Sequence, residues 1–479
     1  MSTSDTDNIY PESVVDEKGN TYELADKPLG KGGQGIVFRS SSTPDVVVKF
    51  CAPPGEGGEA KTLDEGRRRL RRRLEEVRTL PLTGLPVASP LAMLHGHVGY
   101  TMRLLEQMGP IGGLIATGSE ESLPQFYLDS GGLRRRLEIL SQLAWILARL
   151  HAVPLVYGDI SHNNVFVPEA VDASGVWLID CDNLDWLPRA STSVYTPYFG
   201  APEVVQHGAH ADTLTDVYSF AILAYWVLVL NHPFLGSAVE VNGWDVTTTE
   251  DLEEKALRGE LPFVDDPSDA SNRSDEGVPR AWVLTRQLRE LFERTFVDGR
   301  EDRTARPSMV DFVDAFRRAA DMTIWCDECG MTHFVNADSC PWCPSEGSQT
   351  GVLSIEIRHW EPRLDEEDWS LLRASKPLWR KVVQAGRTDV ITTHMVSAAP
   401  LEAANEPELE VSVSRGGVSL SNVSDREFRL VSGPDGSETP LRGEKTLPLP
   451  KGRREWFLHC GPADESHRIA FFRYFERGK

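Results

Sequence analysis

Five short stretches of this chain carry side chains whose types and order suit the handling of a polyphosphate. Gly30, Gly32 and Gly35 stand in Leu29-Gly30-Lys31-Gly32-Gly33-Gln34-Gly35-Ile36-Val37, a G-x-G-x-x-G-x-V pattern. Glycines at that spacing let backbone N–H groups approach anionic oxygens that a Cβ would keep away. Lys49 closes the apolar run Val46-Val47-Val48, where an inward-facing cation is costly without an anionic partner. Asp159 and Asn164 follow in Gly158-Asp159-Ile160-Ser161-His162-Asn163-Asn164, and Asp180 ends the stretch Val176-Trp177-Leu178-Ile179. A carboxylate such as Asp159 can orient the proton of an attacking hydroxyl. An amide oxygen and a second carboxylate offer the hard donors that Mg²⁺ takes beside phosphate oxygens and water. A glycine-rich hairpin alone, or carboxylates in surface turns alone, would carry no such meaning. The ordered set, closing on Ala201-Pro202-Glu203, does.

A second chemistry is written in the cysteines. Cys326-Asp327-Glu328-Cys329 and Cys340-Pro341-Trp342-Cys343 are two C-x-x-C pairs separated by ten residues. Four thiolates in a tetrahedral array suit a structural Zn²⁺, and such a closed site leaves no open coordination position. A redox dithiol pair is the rival reading; His333 is not needed as a ligand beside four cysteines. Metal binding would fold a segment too small to have a core of its own.

In order and spacing the phosphate-handling motifs resemble those of eukaryotic-type (Hanks-type) serine/threonine protein kinases, over residues 20–322. The resemblance implies a bilobal fold, a β-rich N-lobe and a helical C-lobe, with ATP and Mg²⁺ as cofactors. It implies that Lys49 contacts the α- and β-phosphates and pairs with a glutamate from a nearby helix. Glu76, in Glu76-Val77-Arg78-Thr79-Leu80, fits that spacing, with Glu75 as the alternative. It makes Asp159 the catalytic residue and Asn164 and Asp180 the Mg²⁺ ligands. Thr196, at the head of Thr196-Pro197-Tyr198-Phe199-Gly200-Ala201-Pro202-Glu203, would hydrogen-bond the catalytic carboxylate in a segment that receives a peptide. The adenine would lie against a hinge near residues 102–105, with Leu29, Val37, Met102 and Leu104 as contacts; these would serve equally as simple core. Glu203 is expected to pair with Arg306, and Asp216 to tie down the catalytic loop from a helix start, where the dipole also favours a carboxylate.

Three departures stand out. His-Arg-Asp becomes Tyr157-Gly158-Asp159, so the arginine that grips a phosphorylated activation loop is missing. The lysine two residues after the catalytic aspartate is Ser161, which removes a cation from the transferring phosphate. Asp-Phe-Gly becomes Asp180-Cys181-Asp182, which keeps the chelating carboxylate and loses the Phe-Gly switch. The Gly-Asp-Ile-Ser loop, the Asp-x-Asp magnesium motif and the trailing zinc ribbon resemble a bacterial subgroup associated with stress or defence gene sets, and so imply phosphatase and von Willebrand-type partner proteins. Thr192 and Ser193 are candidate autophosphorylation sites or plain loop residues. The arginine runs at 67–69, 71–73 and 134–136 read as solvated helix faces, with docking of a phosphate or acidic partner as the sharper alternative.

A chain of 479 residues is too long for one core. Its 50 basic and 72 acidic side chains leave a net charge of −22, which argues against sequence-blind nucleic-acid binding. Seven cysteines, four of them in the C-x-x-C pairs, point to metal in a reducing compartment rather than to disulfides. The apolar run 220–230 is too short for a membrane span and reads as a buried helix. With a polar, acidic start and no signal peptide expected, a cytoplasmic protein without a membrane or nucleic-acid partner is the expectation.

The elements read as an α+β chain: a flexible stretch 1–19, the kinase-like region 20–322, a zinc ribbon 323–348 and a β-rich domain 349–479. Strands are expected at 20–50, a loop at 53–58 and helices at 61–80, 133–151 and 310–320, with a surface insertion within 237–280. In the tail, alternation marks strands at Leu353/Ile355/Ile357, Leu409/Val411/Val413, Phe428/Leu430, Trp456/Leu458 and Ile469/Phe471, with a turn at 433–436 and a helix at 367–383, together a small β-sandwich. Three functions compete: a protein kinase acting on protein hydroxyls, a pseudokinase that holds ATP as a scaffold in a bacterial signalling or defence complex, and a small-molecule kinase. The Ala-Pro-Glu segment argues against the third.

Overall fold

The computed structural model describes residues 10–32, 35–51, 60–115, 122–187, 195–239, 249–344, 351–362, 366–432, 437–450 and 456–476. Gly33, Gln34, the 53–58 loop, Thr192, Ser193 and the 433–436 turn lie outside the described residues. So do 1–9 of the N-terminal stretch and 240–248 of the expected insertion. The chain is mixed α and β. It divides into two compact units: residues 1–113, 150–223 and 257–260 in one, and 114–149, 224–256 and 261–479 in the other.

The first unit holds a six-stranded antiparallel sheet. Its strands are β1 (Ser13–Val15), β2 (Thr21–Gly32), β3 (Gly35–Ser40), β4 (Val46–Cys51), β5 (Ala92–Met93) and β6 (Gly99–Arg103), in the order β1-β2-β3-β4-β6-β5. Alternation decides the faces. Ile36, Phe38, Val48 and Phe50 join Val14, Tyr22 and Leu94 in one core cluster. On the opposite face Cys51, Met93 and Tyr100 pack with Leu74 of helix α1 (Ala60–Arg78). The register places Lys49 opposite Val37 on one side and opposite Tyr100 on the other, so all three share that second face. Gly35 sits at φ +152°, and a Cβ there would lie 2.1 Å from the Phe50 carbonyl oxygen. Close strand pairing is therefore sufficient reason for glycine at this position, whereas a Cβ at Gly30 or Gly32 would meet nothing within 4 Å.

Two short ladders complete the unit's chemistry. Strands β7 (Met108–Pro110), β9 (Val165–Pro168) and β10 (Trp177–Leu178) form one, with β9 central, and β8 (Leu155–Val156) pairs with β11 (Asp185–Trp186) in the other. Of the arginines on α1, Arg71 donates to the Leu94 and His97 carbonyls and Arg73 reaches the 182–185 segment, while Arg68 pairs with Asp64 in solvent.

The helix Gly132–Ala152, all but its last three residues in the second unit, buries Leu133, Leu137, Leu140, Leu143, Leu147 and Leu150 at helical spacing, and the helix Met309–Asp321 starts from a Ser308/Asp311 capping box. The 134–136 arginines are not a solvated face. Arg136 is fully buried, donates to the Gly132, Val227 and Leu114 carbonyls and lies 3.8 Å from the Tyr127 ring centroid. Arg135 is buried on the Ser130 carbonyl, and Arg134 pairs with Glu138 and Asp389. The tail forms two antiparallel sheets. One has six strands in the order Trp379–Gln384, Gly351–Trp360, His467–Glu476, Phe457–His459, Arg429–Ser432, Ser437–Pro440; the other has four, in the order Thr388–Thr392, Pro407–Ser414, Gly417–Asn422, Glu444–Leu447. Leu353, Ile355, Ile357, Leu430 and Leu458 of the first meet Leu409, Val411, Val413, Val418 and Leu420 of the second in one buried cluster.

One tail expectation needs correction. The helix expected at 367–383 ends at Ala374, and Trp379–Gln384 is an edge strand. Pro377 bars helix continuation, and the alternate residues from Trp379 find a ladder with Gly351–Trp360. In the last strand Ala470 and Phe472, not Ile469 and Phe471, face the shared cluster; Phe471 packs on Phe457 instead.

A buried ionic chain crosses this unit. Lys381 Nζ lies 2.6 Å from Asp321 and 2.9 Å from Asp389; Trp379 donates its indole N–H to Asp321 at 2.7 Å, and Arg134 completes Asp389. Removing Lys381 leaves Asp389 with Arg134 but leaves buried Asp321 without the ammonium that neutralises it. Lys381→Met is expected to destabilise the fold by about 3–5 kcal/mol, measured by denaturant unfolding. Burial pushes the Asp389 carboxyl up, but Lys381 and Arg134 outweigh it and hold it down at about 2. An unfolded aspartate titrates near pH 4. This group's contribution, about 2–3 kcal/mol, is therefore complete above that pH and is lost as pH falls toward 2. Asp389→Asn is expected to flatten the acid limb of stability between those values.

Candidate functional site

The first unit gathers most of the residues singled out for phosphate chemistry. Lys49 is 5% exposed, and its ammonium lies 2.5 Å from Asp180 and 2.6 Å from Asp182. Burial lowers its pKa, and the charges of Asp182 and then Asp180 outweigh burial, so it is held above the usual lysine range. Asp180 adopts a left-handed backbone, φ 57°, ψ 53°, which a short polar side chain tolerates better than most. Its carboxyl is raised by burial; Lys49 opposes the rise, and Asp182 and Asp159 add to it.

The expected ion pair between Lys49 and Glu76 is absent among the described residues. The Glu76 side chain is 58% exposed, and its one ion-pair partner among the described residues is Arg73, at 4.0 Å. Glu75 is no substitute, being exposed and paired with Arg71. The physical reason lies in the sequence at 180–182: Asp180 and Asp182 already satisfy the buried lysine.

The loop bearing Asp159 is held from three sides. Asp216, 2% exposed, accepts the backbone N–H of Tyr157 at 2.8 Å and of Gly158 at 2.9 Å, and contacts His151 Nε2 at 3.1 Å. Gly158 sits at φ +81°, a conformation strained for any side chain, which accounts for glycine where the resembled motif has arginine. The Tyr157 hydroxyl donates to the Ile179 carbonyl. Asp159 Oδ1 accepts from Thr196 Oγ1 at 2.8 Å, and Oδ2 accepts from Asn164 Nδ2 at 3.0 Å. The same Asn164 nitrogen also donates to the Asp159 backbone carbonyl at 2.9 Å. Burial raises the Asp159 carboxyl, and these donors pull it back. The β9–β10 pairing brings Asn164 beside Asp180: Val165 faces Leu178, and the Ile179 N–H bonds the Asn164 carbonyl at 3.0 Å. Ser161 is fully buried, with no hydrogen-bond partner on its hydroxyl among the described residues, so it offers no cation and no exposed donor.

The residues expected to wall an adenine are divided. Leu29 is 51% exposed, Val37 half-buried beside Lys49, and Met102 packs against the α1-side cluster. Leu104 is buried and its N–H is taken by the Asp45 carbonyl.

In the second unit the four cysteines converge. Their sulfurs lie within 4.8 Å of one another, with Cys326–Cys343 at 3.7 Å and Cys329–Cys340 at 3.8 Å. A tetrahedron with Zn–S bonds of ~2.3 Å has edges of about 3.8 Å, so the array fits Zn²⁺. It does not fit disulfides, and all seven cysteines are free. The hairpin of Thr323–Trp325 and Thr332–Phe334 presents the first pair. Trp342, between the second pair, donates to the Thr332 carbonyl at 3.0 Å and stacks on Tyr127 at 4.7 Å.

Comparison with known proteins agrees in part. Over a minority of its length the chain is similar to serine/threonine protein kinases. A 158-residue segment, 33% of this chain, is 21% identical to a probable LIM domain-containing serine/threonine-protein kinase of Dictyostelium discoideum and covers 22% of it. A second such Dictyostelium kinase is 20% identical over 158 residues, 15% of its length. Serine/threonine-protein kinase pkn2 of Myxococcus xanthus is 34% identical over 110 residues, 21% of this chain and 13% of that protein. The chain thus spans less than a quarter of the length of the curated relatives it matches. No protein-family model matches. No helix among the described residues is long and apolar enough to cross a membrane.

The sequence does not announce Tyr100, nor that Asp182 of the Asp-x-Asp motif and Arg73 of the arginine run serve the Lys49 site. Asp182 is 7% exposed and accepts the Tyr100 hydroxyl at 2.8 Å as well as Lys49. Arg73 donates to the carbonyls of Asp182, Asn183 and Leu184 at 3.3, 3.4 and 2.5 Å and pairs with Asp185 at 3.0 Å. One signal was present: a carboxylate two residues after Asp180, where the resembled motif has glycine.

Proposed function

We propose that this chain is an ATP-dependent serine/threonine protein kinase, with a bilobal catalytic region, a structural zinc ribbon and a C-terminal β-sandwich that selects partners in the cytoplasm. One observation carries the reading: within one unit Lys49 pairs with Asp180, Asp159 accepts from Asn164 and Thr196, and the Ile179 N–H on the Asn164 carbonyl ties the two groups together. Asp159 would receive and orient the substrate hydroxyl, its carboxylate fixed by Asn164 on one oxygen and Thr196 on the other. Lys49 would turn its ammonium toward the α- and β-phosphate oxygens as Asp180 is engaged elsewhere. Mg²⁺ fits the residues present. Asp159, Asp180 and Asp182 outnumber the single ammonium of Lys49, and the Asn164 amide, its N–H used on Asp159, keeps an oxygen to offer beside Asp180. When bound there, the ion would neutralise charge between the β- and γ-phosphates. The phosphatase and von Willebrand-type partners implied by the resemblance belong to the same proposal.

The test is transfer from γ-labelled ATP, with Mg²⁺, to a generic protein substrate. Label on serine or threonine is expected. Mg·ATP binding without transfer to any protein would favour the pseudokinase scaffold, a reading that the burial of Ser161 and the pairing of Lys49 with both aspartates also support.

A further inference from the structure

We propose that Asp182 is the residue that positions Lys49, the task the resemblance gives to a helix glutamate; the inference rests on the kinase reading and deepens it. The geometry separates the two candidates. Glu76 points to solvent, its side chain 58% exposed, and its one ion-pair partner among the described residues is Arg73. Asp182 is buried, with Oδ2 2.6 Å from Lys49 Nζ and Oδ1 2.8 Å from the Tyr100 hydroxyl. The Cys51 thiol approaches Oδ2 at 3.8 Å. Lys49, Tyr100 and Cys51 belong to β4 and β6 and share one sheet face, with Lys49 opposite Tyr100 in the ladder. The carboxylate is therefore anchored by the sheet that carries the lysine.

Asp180 cannot do this alone. As a magnesium ligand its carboxylate must be shared with the ion, whereas both Asp182 oxygens are already committed to the lysine and the tyrosine. Helix α1 contributes through a different residue. Arg73 holds the segment that bears Asp182 by three backbone carbonyls and by Asp185. The lysine is thus set by the strand and the 180–185 segment, and no movement of a helix glutamate is needed to engage it. The cysteine between the two aspartates fits this arrangement: Cys181 is fully buried, with its thiol on the Ala88 carbonyl at 3.3 Å, and gives the segment a fixed seat.

The test compares full-length wild type with Asp182→Asn, Asp182→Glu, Tyr100→Phe and Glu76→Gln. For each, kcat for phosphate transfer, Kd for Mg·ATP and the thermal midpoint are measured. Asp182→Asn is expected to lower kcat by about 100-fold, the scale of a misplaced catalytic contact, with a much smaller change in Kd. Asp182→Glu restores part of the rate, and Tyr100→Phe, which frees the carboxylate, loses an intermediate amount. Glu76→Gln changes kcat by no more than about twofold, because an exposed ion pair contributes little. Asp182→Asn at wild-type kcat, or Glu76→Gln falling as far as Asp182→Asn, overturns the assignment and leaves the kinase reading standing. A wild type that binds Mg·ATP and transfers nothing overturns both. Should Asp182→Asn not fold, the exposed Glu76→Gln still decides: a loss of tenfold or more there returns the role to the helix.

Discussion

Replacing Asp159 by alanine is expected to lower phosphate transfer by about 10²–10⁴-fold, the usual worth of a positioned proton acceptor, and to leave Mg·ATP affinity unchanged. The separation follows from the local bonding. Asp159 makes its side-chain contacts to Thr196 and Asn164 and none to Lys49. Asn164 loses one acceptor in the variant but keeps the Asp159 backbone carbonyl at 2.9 Å, so the amide proposed as a magnesium ligand stays in place. The loop itself keeps its shape because Asp216 holds it through the N–H groups of Tyr157 and Gly158 rather than through Asp159. Initial rates and nucleotide titration on the same preparations check both halves. Transfer by the variant at wild-type rate would remove Asp159 from the chemistry.

The second large effect is structural. Metal analysis is expected to give about one zinc per chain, and the pair Cys326→Ser and Cys340→Ser to abolish it. Structural zinc sites bind with apparent free energies of about 10–16 kcal/mol, which in a small segment is folding energy. Apart from the cysteines, the ribbon is held by two three-residue strands, the Trp342 ring on Tyr127, the Gln384 side chain on both backbone groups of Trp325, and Ile324 packed with Val352 and Val382. Loss of the metal should release Trp342 from that stack and from the Thr332 carbonyl, so tryptophan fluorescence and the thermal midpoint should change together. Transfer activity is expected to fall far less than in Asp159→Ala, because all the proposed phosphate-handling residues lie in the other unit. A metal-free chain with an unchanged midpoint would eliminate the site.

Much of this was legible in the residues. The helix Gly132–Ala152 follows from 3.6-residue apolar spacing and Ala60–Arg78 from helical composition, and the strand alternation of Leu353, Ile355 and Ile357 and of Leu409, Val411 and Val413 gave the faces of the tail sheets. Local pattern failed where a long-range partner decided the outcome. Trp379–Gln384 has helix-compatible neighbours before it, but its ladder with Gly351–Trp360 is invisible to local spacing. Ile469 and Phe471 alternate as well as Ala470 and Phe472 do, and both faces of that strand are covered, so periodicity could not choose. The 134–136 arginines looked solvated because no local feature announces the carbonyls and the Tyr127 ring that receive Arg136. The site failed in the same way at one point. The spacing that selected Glu76 is a helix property, while the buried aspartates that do contact the lysine come from the 180–182 segment, with Asp182 also held by Tyr100, set opposite Lys49 through strand register.

The most direct measurement is a crystal structure of the chain with Mg²⁺ and a non-hydrolysable ATP analogue. The expected result is one ion bound at about 2.1 Å by oxygens of Asn164 and Asp180, with Lys49 on the α- and β-phosphates while still touching Asp182. A triphosphate seated away from Lys49, with the ion on neither Asn164 nor Asp180, would contradict it.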